Sequence, residues 1–193
     1  MKSDKLQMEL DYIKNNHIKE NAKILVNLLP DYFFEVPASS TGKYHPAFAA
    51  GEAGLLRHTK AATRIGYELL KNKTIGYCFT DDEKDLLITA IMLHDGLKHG
   101  KNHDRYARFD HPLEGAKFVK ENSDKTTFAE DEIKFLYETI ASHMGEFTTS
   151  TYSDVVLPEP HNKYQRFVHM CDYLASRKFL SVNFDENNNI KEV

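Results

Sequence analysis

The run Leu86-Leu-Ile-Thr-Ala-Ile-Met-Leu-His-Asp-Gly96 decides the reading of this chain. It is an apolar stretch of helical length that ends on an imidazole and a carboxylate side by side. Leu87, Ala90 and Ile91 stand seven, four and three residues before His94, so His94 shares their face, which is the face a helix turns inward. Burying a carboxylate beside an imidazole is costly unless something pairs with both. A divalent cation is the usual partner, and this donor set suits zinc, iron, manganese or a similar ion.

The same pattern recurs along the chain. His58 shares a face with Leu55, Ala62 and Ile65, and His143 follows Leu136 and Ile140 by seven and three. Asp172 lies four after Val168 and three before Ala175, and His111 opens a helix at the end of a polar loop. One inward histidine is more often a hydrogen-bonded core residue than a ligand. Four histidines and two aspartates on five helices are hard to satisfy by separate hydrogen bonds in a 193-residue chain. Clustering around cations satisfies them together. Six ligands exceed the four that one tetrahedral ion takes, so two ions sharing a carboxylate is the natural count.

Helical periodicity dominates the rest. The spacing predicts one bent helix or two short ones over 4–29, stopped by Pro30, then an irregular stretch over 30–53. Helices are expected over 54–72, from Thr80 to near Gly96, and over 111–122, 129–144 and 161–177. Thr80 and Glu83 form a capping box. The stretch 97–110 reads as a polar loop, and Leu180–Phe184 alternates like a strand, with Asp185–Asn189 as a turn, so a short C-terminal β-hairpin or loose tail is expected. The fold class is all-α, one domain over 1–193: a core of about 54–177, an N-terminal helical extension 1–53 and a tail 178–193.

Composition sets outer limits. The net charge of −4, with 41% apolar and 28% charged residues, belongs to a globular protein without a global basic field for nucleic acid. No run approaches the roughly 18 apolar residues of a membrane span, and the polar start Met1-Lys-Ser-Asp-Lys-Leu lacks a signal-peptide core, so no membrane partner and a cytoplasmic location are expected. Cys78 and Cys171 read as small packing residues, and His17, His45, His99, His103 and His161 as surface histidines. Ser39–Pro46 contains Gly42-Lys43 but fails the P-loop spacing, since position 37 is Pro and position 44 is Tyr.

The order His58, His94-Asp95, His111, His143, Asp172, at intervals of 36, 17, 32 and 29 residues, resembles the two-metal H…HD…H…H…D branch of the HD-domain superfamily of metal-dependent phosphohydrolases. The resemblance covers about 54–177. It implies that His58, His94, Asp95 and Asp172 hold one ion, and that Asp95 bridges to a second held by His111 and His143. The two divalent ions would be Mn, Fe, Co, Ni, Zn or Mg, with a bridging hydroxide as nucleophile. Lys98, three after Asp95 as in the HDxxK variant, would then act beside Asp95 in catalysis and contact the substrate phosphate. The glycine stands one place earlier than in the familiar HD-I-G-K run, and the GYP signature of cyclic-di-GMP phosphodiesterases is absent.

Gly54–Thr59, Ser142–Gly145 and His169–Asp172 look most like the HD domain of bacterial 3′→5′ exoribonucleases, but the 50 residues before His58 hold few alternating runs for an OB-fold. A nucleotide, cyclic nucleotide, dinucleotide or short oligonucleotide is therefore the expected substrate, rather than a stable nucleic-acid complex. Arg57, Arg105 and Arg177 are candidate phosphate contacts. Tyr44, Phe48 and Tyr106 can stack on a base or simply pack the loops. The loop 97–110, with Lys101 and Arg108, offers a cationic rim. Two rival readings follow: an HD-fold di-iron oxygenase acting on a small alcohol or phosphonate, and a nucleotide sensor without turnover.

Overall fold

The computed structural model describes residues 1–43 and 45–191. Its α-helices are α1 (Gln7–Leu10), α2 (Asn16–Leu28), α3 (Gly54–Lys71), α4 (Lys73–Gly76), α5 (Asp81–Leu93), α6 (His111–Glu121), α7 (Glu130–Ala141) and α8 (Lys163–Ala175). The fold is all-α, and among the described residues no helix is long and apolar enough to cross a membrane.

Helix α5 is the central element, and it packs against α2, α3, α7 and α8. Its stretch from Leu86 to Leu93 is buried on every side, as an apolar run without a polar stripe requires. Its start is fixed by the capping box: Thr80 Oγ1 accepts from Glu83 N at 3.2 Å, and Thr80 N donates to Glu83 Oε2 at 2.8 Å. Helix α8 is capped in the same way by Asn162 and Gln165. Gly66 on α3 allows a close three-way approach. A Cβ there would stand 2.6 Å from Ile91 Cδ1 on α5 and 3.4 Å from Cys171 Sγ on α8.

The N-terminal residues belong to the same apolar cluster as the core helices, through Leu6, Leu10, Ile13 and Ile18. They divide into two short helices, one of the two forms expected. Asp85 on α5 fixes the entry to α2 by accepting the backbone N–H groups of Lys14 at 3.0 Å and Asn15 at 2.7 Å.

The C-terminal hairpin resolves to a pinned turn. A single antiparallel bridge joins Phe184 and Ile190, and no strand forms among the described residues. Asp185 Oδ1 accepts the N–H groups of Asn187 and Asn189, an Asx-type turn that competes with ladder pairing. Arg57 then grips Asn188 Oδ1 at 2.6 Å, and the wholly buried Lys60 donates to Asn189 Oδ1 at 2.7 Å while facing Glu9.

Three histidine and cysteine expectations change in three dimensions. His99 is buried, because its N–H reaches the Tyr32 hydroxyl and its Nδ1 the Asp104 carbonyl. His45 is half-buried with a fully enclosed Nδ1. Cys78 is exposed, whereas Cys171 is buried as expected, its thiol pushed up by burial.

Gly66→Leu is expected to destabilise the fold by about 2–3 kcal/mol through overpacking between α5 and α8, and Thr80→Ala by about 1 kcal/mol through loss of the cap. Thermal unfolding of the two variants beside wild type checks both, the first falling by roughly 5–10 °C and the second by about 2–4 °C.

Candidate metal centre

The six acid and imidazole groups named from the sequence converge. They form two sets sharing one residue: His58, His94, Asp95 and Asp172, and Asp95, His111 and His143. Within each set the donor atoms lie within 4.8 Å of one another. His58 comes from the second turn of α3 and Asp172 from the last turn of α8. His94 and Asp95 follow the last residue of α5, and His111 opens α6.

His143 differs from its expected place. Helix α7 ends at Ala141, so His143 lies in the turn beyond it. That position has a chemical use. The last carbonyls of a helix have no intrahelical partner. His94 Nδ1–H donates to the Ile91 carbonyl at 2.6 Å, and His143 Nδ1–H to the Ile140 carbonyl at 2.8 Å. His111 Nδ1–H does the same to the Arg108 carbonyl at 2.6 Å. Each ring is thereby turned so that Nε2 faces the centre, the orientation a metal-binding histidine needs.

The Nε2 atoms of His111 and His143 stand 3.1 Å apart. Two lone pairs at that separation repel unless a cation lies between them. His94 Nε2 and Asp95 Oδ1 are buried without a hydrogen-bond partner. The Asp95 carboxylate divides its oxygens. Oδ2 faces His94 Nε2 at 3.5 Å and His58 Nε2 at 3.6 Å, while Oδ1 faces His111 Nε2 at 3.1 Å and His143 Nε2 at 3.7 Å. Asp172 Oδ1 closes the first set, 3.0 Å from His58 Nε2 and 3.5 Å from His94 Nε2. With donor–ion bonds of about 2.0–2.2 Å, neighbouring donors around one ion stand about 3.0–3.6 Å apart. The two sets therefore fit two cations that share Asp95.

The electrostatics agree. Burial would raise both aspartates, yet Lys98 and His94 hold Asp95 well below the usual carboxylate range, and His58 and His94 do so for Asp172. Burial opposes a charged His94, but Asp95 and Asp172 outweigh it and raise it to about 10. Burial, with His94 and His111 nearby, pushes His143 down to about 3. The two buried carboxylates thus draw positive charge to their centre, supplied here by Lys98 and His94.

Lys98 reaches the centre despite the shifted glycine: its Nζ lies 2.5 Å from Asp95 Oδ2. The arginines are placed differently. Arg57 spends its guanidinium on the carbonyls of Phe48 and Ala50 and on Asn188. Arg177 lies 3.9 Å over the Tyr173 ring and donates to Ser176, and Arg105 is exposed over Tyr106. The cationic rim is largely neutralised, with Arg108 paired to Asp104 and Asp110 and Lys101 to Glu121. Phe48 packs on Phe184, and Tyr44 lies outside the described residues.

One positioning residue was not singled out from the sequence. His169 Nδ1 donates to the His143 carbonyl at 2.7 Å, holding the turn that carries His143. Gly145, at φ +65°, makes room: a Cβ there would come within 2.2 Å of the His169 ring. His169 stands three before Asp172, one helical turn away on the same face, and that spacing was the available signal.

Fold and site together define an all-α protein with a buried His/Asp cluster able to hold metal. Comparison with protein families, with curated proteins and with solved structures returns no match.

Purified protein is expected to bind two equivalents of a divalent first-row ion by elemental analysis. His143→Ala should retain about one equivalent and Asp95→Ala less than one. Equal metal content in all three proteins would refute the shared-carboxylate arrangement.

Proposed function

We propose that the chain is an HD-type metal-dependent phosphohydrolase that cleaves a phosphoester or phosphoanhydride of a nucleotide-like substrate. The observation that carries this reading is the division of Asp95 between two buried sets of donor groups, with His94, His111 and His143 each turned to the centre by a carbonyl at Nδ1. Two-metal sites serve in-line displacement at phosphorus. The ligand order resembling the HD superfamily supports the same class.

His58, His94, Asp95 and Asp172 would hold one ion, and Asp95, His111 and His143 the other. Bound there, two divalent cations supply Lewis-acid charge and lower the pKa of water into the neutral range. The protein's part is preorganisation. Burial of the donors excludes bulk water, and the carbonyls of Ile91, Arg108 and Ile140 hold three of the imidazoles with Nε2 turned to the centre. Lys98, beside Asp95, is placed to stabilise charge developing on a phosphoryl oxygen. Arg105, exposed on the same loop, is a further phosphate contact under this reading, whereas Arg57 and Arg177 would first have to leave their present partners.

A panel of metal-quantified protein against bis-p-nitrophenyl phosphate, nucleoside triphosphates, cyclic mono- and dinucleotides and short RNA tests this. Cleavage should fall at least 10³-fold in Asp95→Ala with loss of metal, and about 10²-fold in Lys98→Ala with metal retained. Metal-loaded protein that leaves the whole panel intact would overturn the proposal, and oxygen uptake by an iron-loaded form would move the assignment to the oxygenase reading.

A further inference from the structure

The turn 97–100 carries Lys98 to the metal centre, and its backbone bonds are largely local. Lys98 N donates to Asp95 O at 3.0 Å, Gly100 N donates to Leu97 O at 2.8 Å, and Lys98 O accepts from Arg108 N at 2.8 Å. Bonds of this kind shape the turn without fixing where it sits. Its seat comes from a segment 67 residues earlier in the chain.

Tyr32 is buried, and its hydroxyl meets the two residues that follow Lys98. It accepts the His99 N–H at 3.2 Å and donates to the Gly100 carbonyl at 3.0 Å. One hydroxyl thus satisfies a donor and an acceptor on consecutive residues, backbone groups that are costly to leave unpaired when buried. Burial raises the tyrosine above its usual pKa, so the proton that makes the second bond stays in place. The ring takes part as well. It stacks on His103 at 4.7 Å between centroids and meets the His99 ring edge-on at 5.6 Å. Leu29, three residues before Tyr32, packs on the other end of the turn. Gly96 leaves room for it, since a Cβ there would stand 2.5 Å from Leu29 Cδ2.

Lys98 needs such a seat. Its long side chain is buried with Nζ 2.5 Å from Asp95 Oδ2, and holding it there costs rotamer entropy. A displacement of about 1 Å at a reacting centre is enough to lose most of a group's effect. We propose that Tyr32 is a positioning residue for Lys98, its hydroxyl seating the turn that aims Lys98 Nζ at the Asp95 carboxylate. Tyr32 acts through the backbone at 99 and 100. Only the consequence for turnover rests on the phosphohydrolase reading; the placement of Lys98 does not.

Tyr32→Phe removes the hydroxyl and keeps the ring against His103. In the full-length, metal-quantified protein, amide hydrogen exchange at His99 should quicken about tenfold, as loss of one buried hydrogen bond implies. Acetylation of Lys98 by an amine-reactive reagent, read by peptide mass spectrometry, should rise by about threefold or more. Lys84 and Lys134 should react as in wild type, with metal content unchanged. Unchanged labelling at Lys98 would overturn the proposal, and so would a uniform rise at every lysine, which marks a structural role alone. In a phosphoester assay that shows turnover, kcat should fall about tenfold with KM unchanged, and the loss should vanish in the Lys98→Ala background. Equal losses in both backgrounds would refute action through Lys98. An inert panel beside raised Lys98 labelling would remove the hydrolase reading and uphold the positioning role.

Discussion

The Asp95 carboxylate, buried to 1% exposure and divided between two sets of imidazoles, is the constraint around which the rest of the molecule is arranged. A carboxylate at that depth costs several kcal/mol unless it is paired. Its neighbours meet the demand from five directions: His58, His94 and Lys98 on one oxygen, His111 and His143 on the other. Bringing them there requires α3, α5, α6, α7 and α8 to meet at one point. The tight approach at Gly66 and the fully buried α5 are the packing side of that requirement.

Helix ends do chemical work in this fold. α5 and α7 both stop just before a histidine, and the Ile91 and Ile140 carbonyls at their ends accept a hydrogen bond from its Nδ1–H. Had α7 continued through residue 144, as its periodicity predicts, the Ile140 carbonyl would have accepted from Met144 N–H, and the His143 tautomer would have lost its anchor. The glycine at 145, in the left-handed region, ends the turn and admits His169 beneath it. Local backbone termination and side-chain protonation are thus one device.

The loops show how far charge counting goes. The stretch 97–110 is rich in cations, yet Lys101 and Arg108 are spent on carboxylates supplied by Glu121, Asp104 and Asp110. Lys98 alone of them points to the centre. Arg57 serves as a clamp that binds the loop 47–50 and the C-terminal turn to α3. A guanidinium near a ligand in sequence is therefore not a guanidinium at the site.

The sequence by itself determined the helical class, the main helices and all six groups of the buried His/Asp cluster. Those features are written in local periodicity: an acid or imidazole on an apolar helical face has to point inward, whatever the fold. Local periodicity does not say which of these groups face one another; the split of Asp95 depends on where distant helices cross, and only the resemblance in ligand order implied it. Tertiary structure alone decided the fate of the tail, where Arg57 and Lys60 capture the turn at 185–189 and the hairpin is reduced to one antiparallel bridge. It buried His99 and enclosed His45, both in stretches whose polar neighbours read as surface. Those outcomes depend on contacts between residues far apart in the chain, and no local pattern carries them.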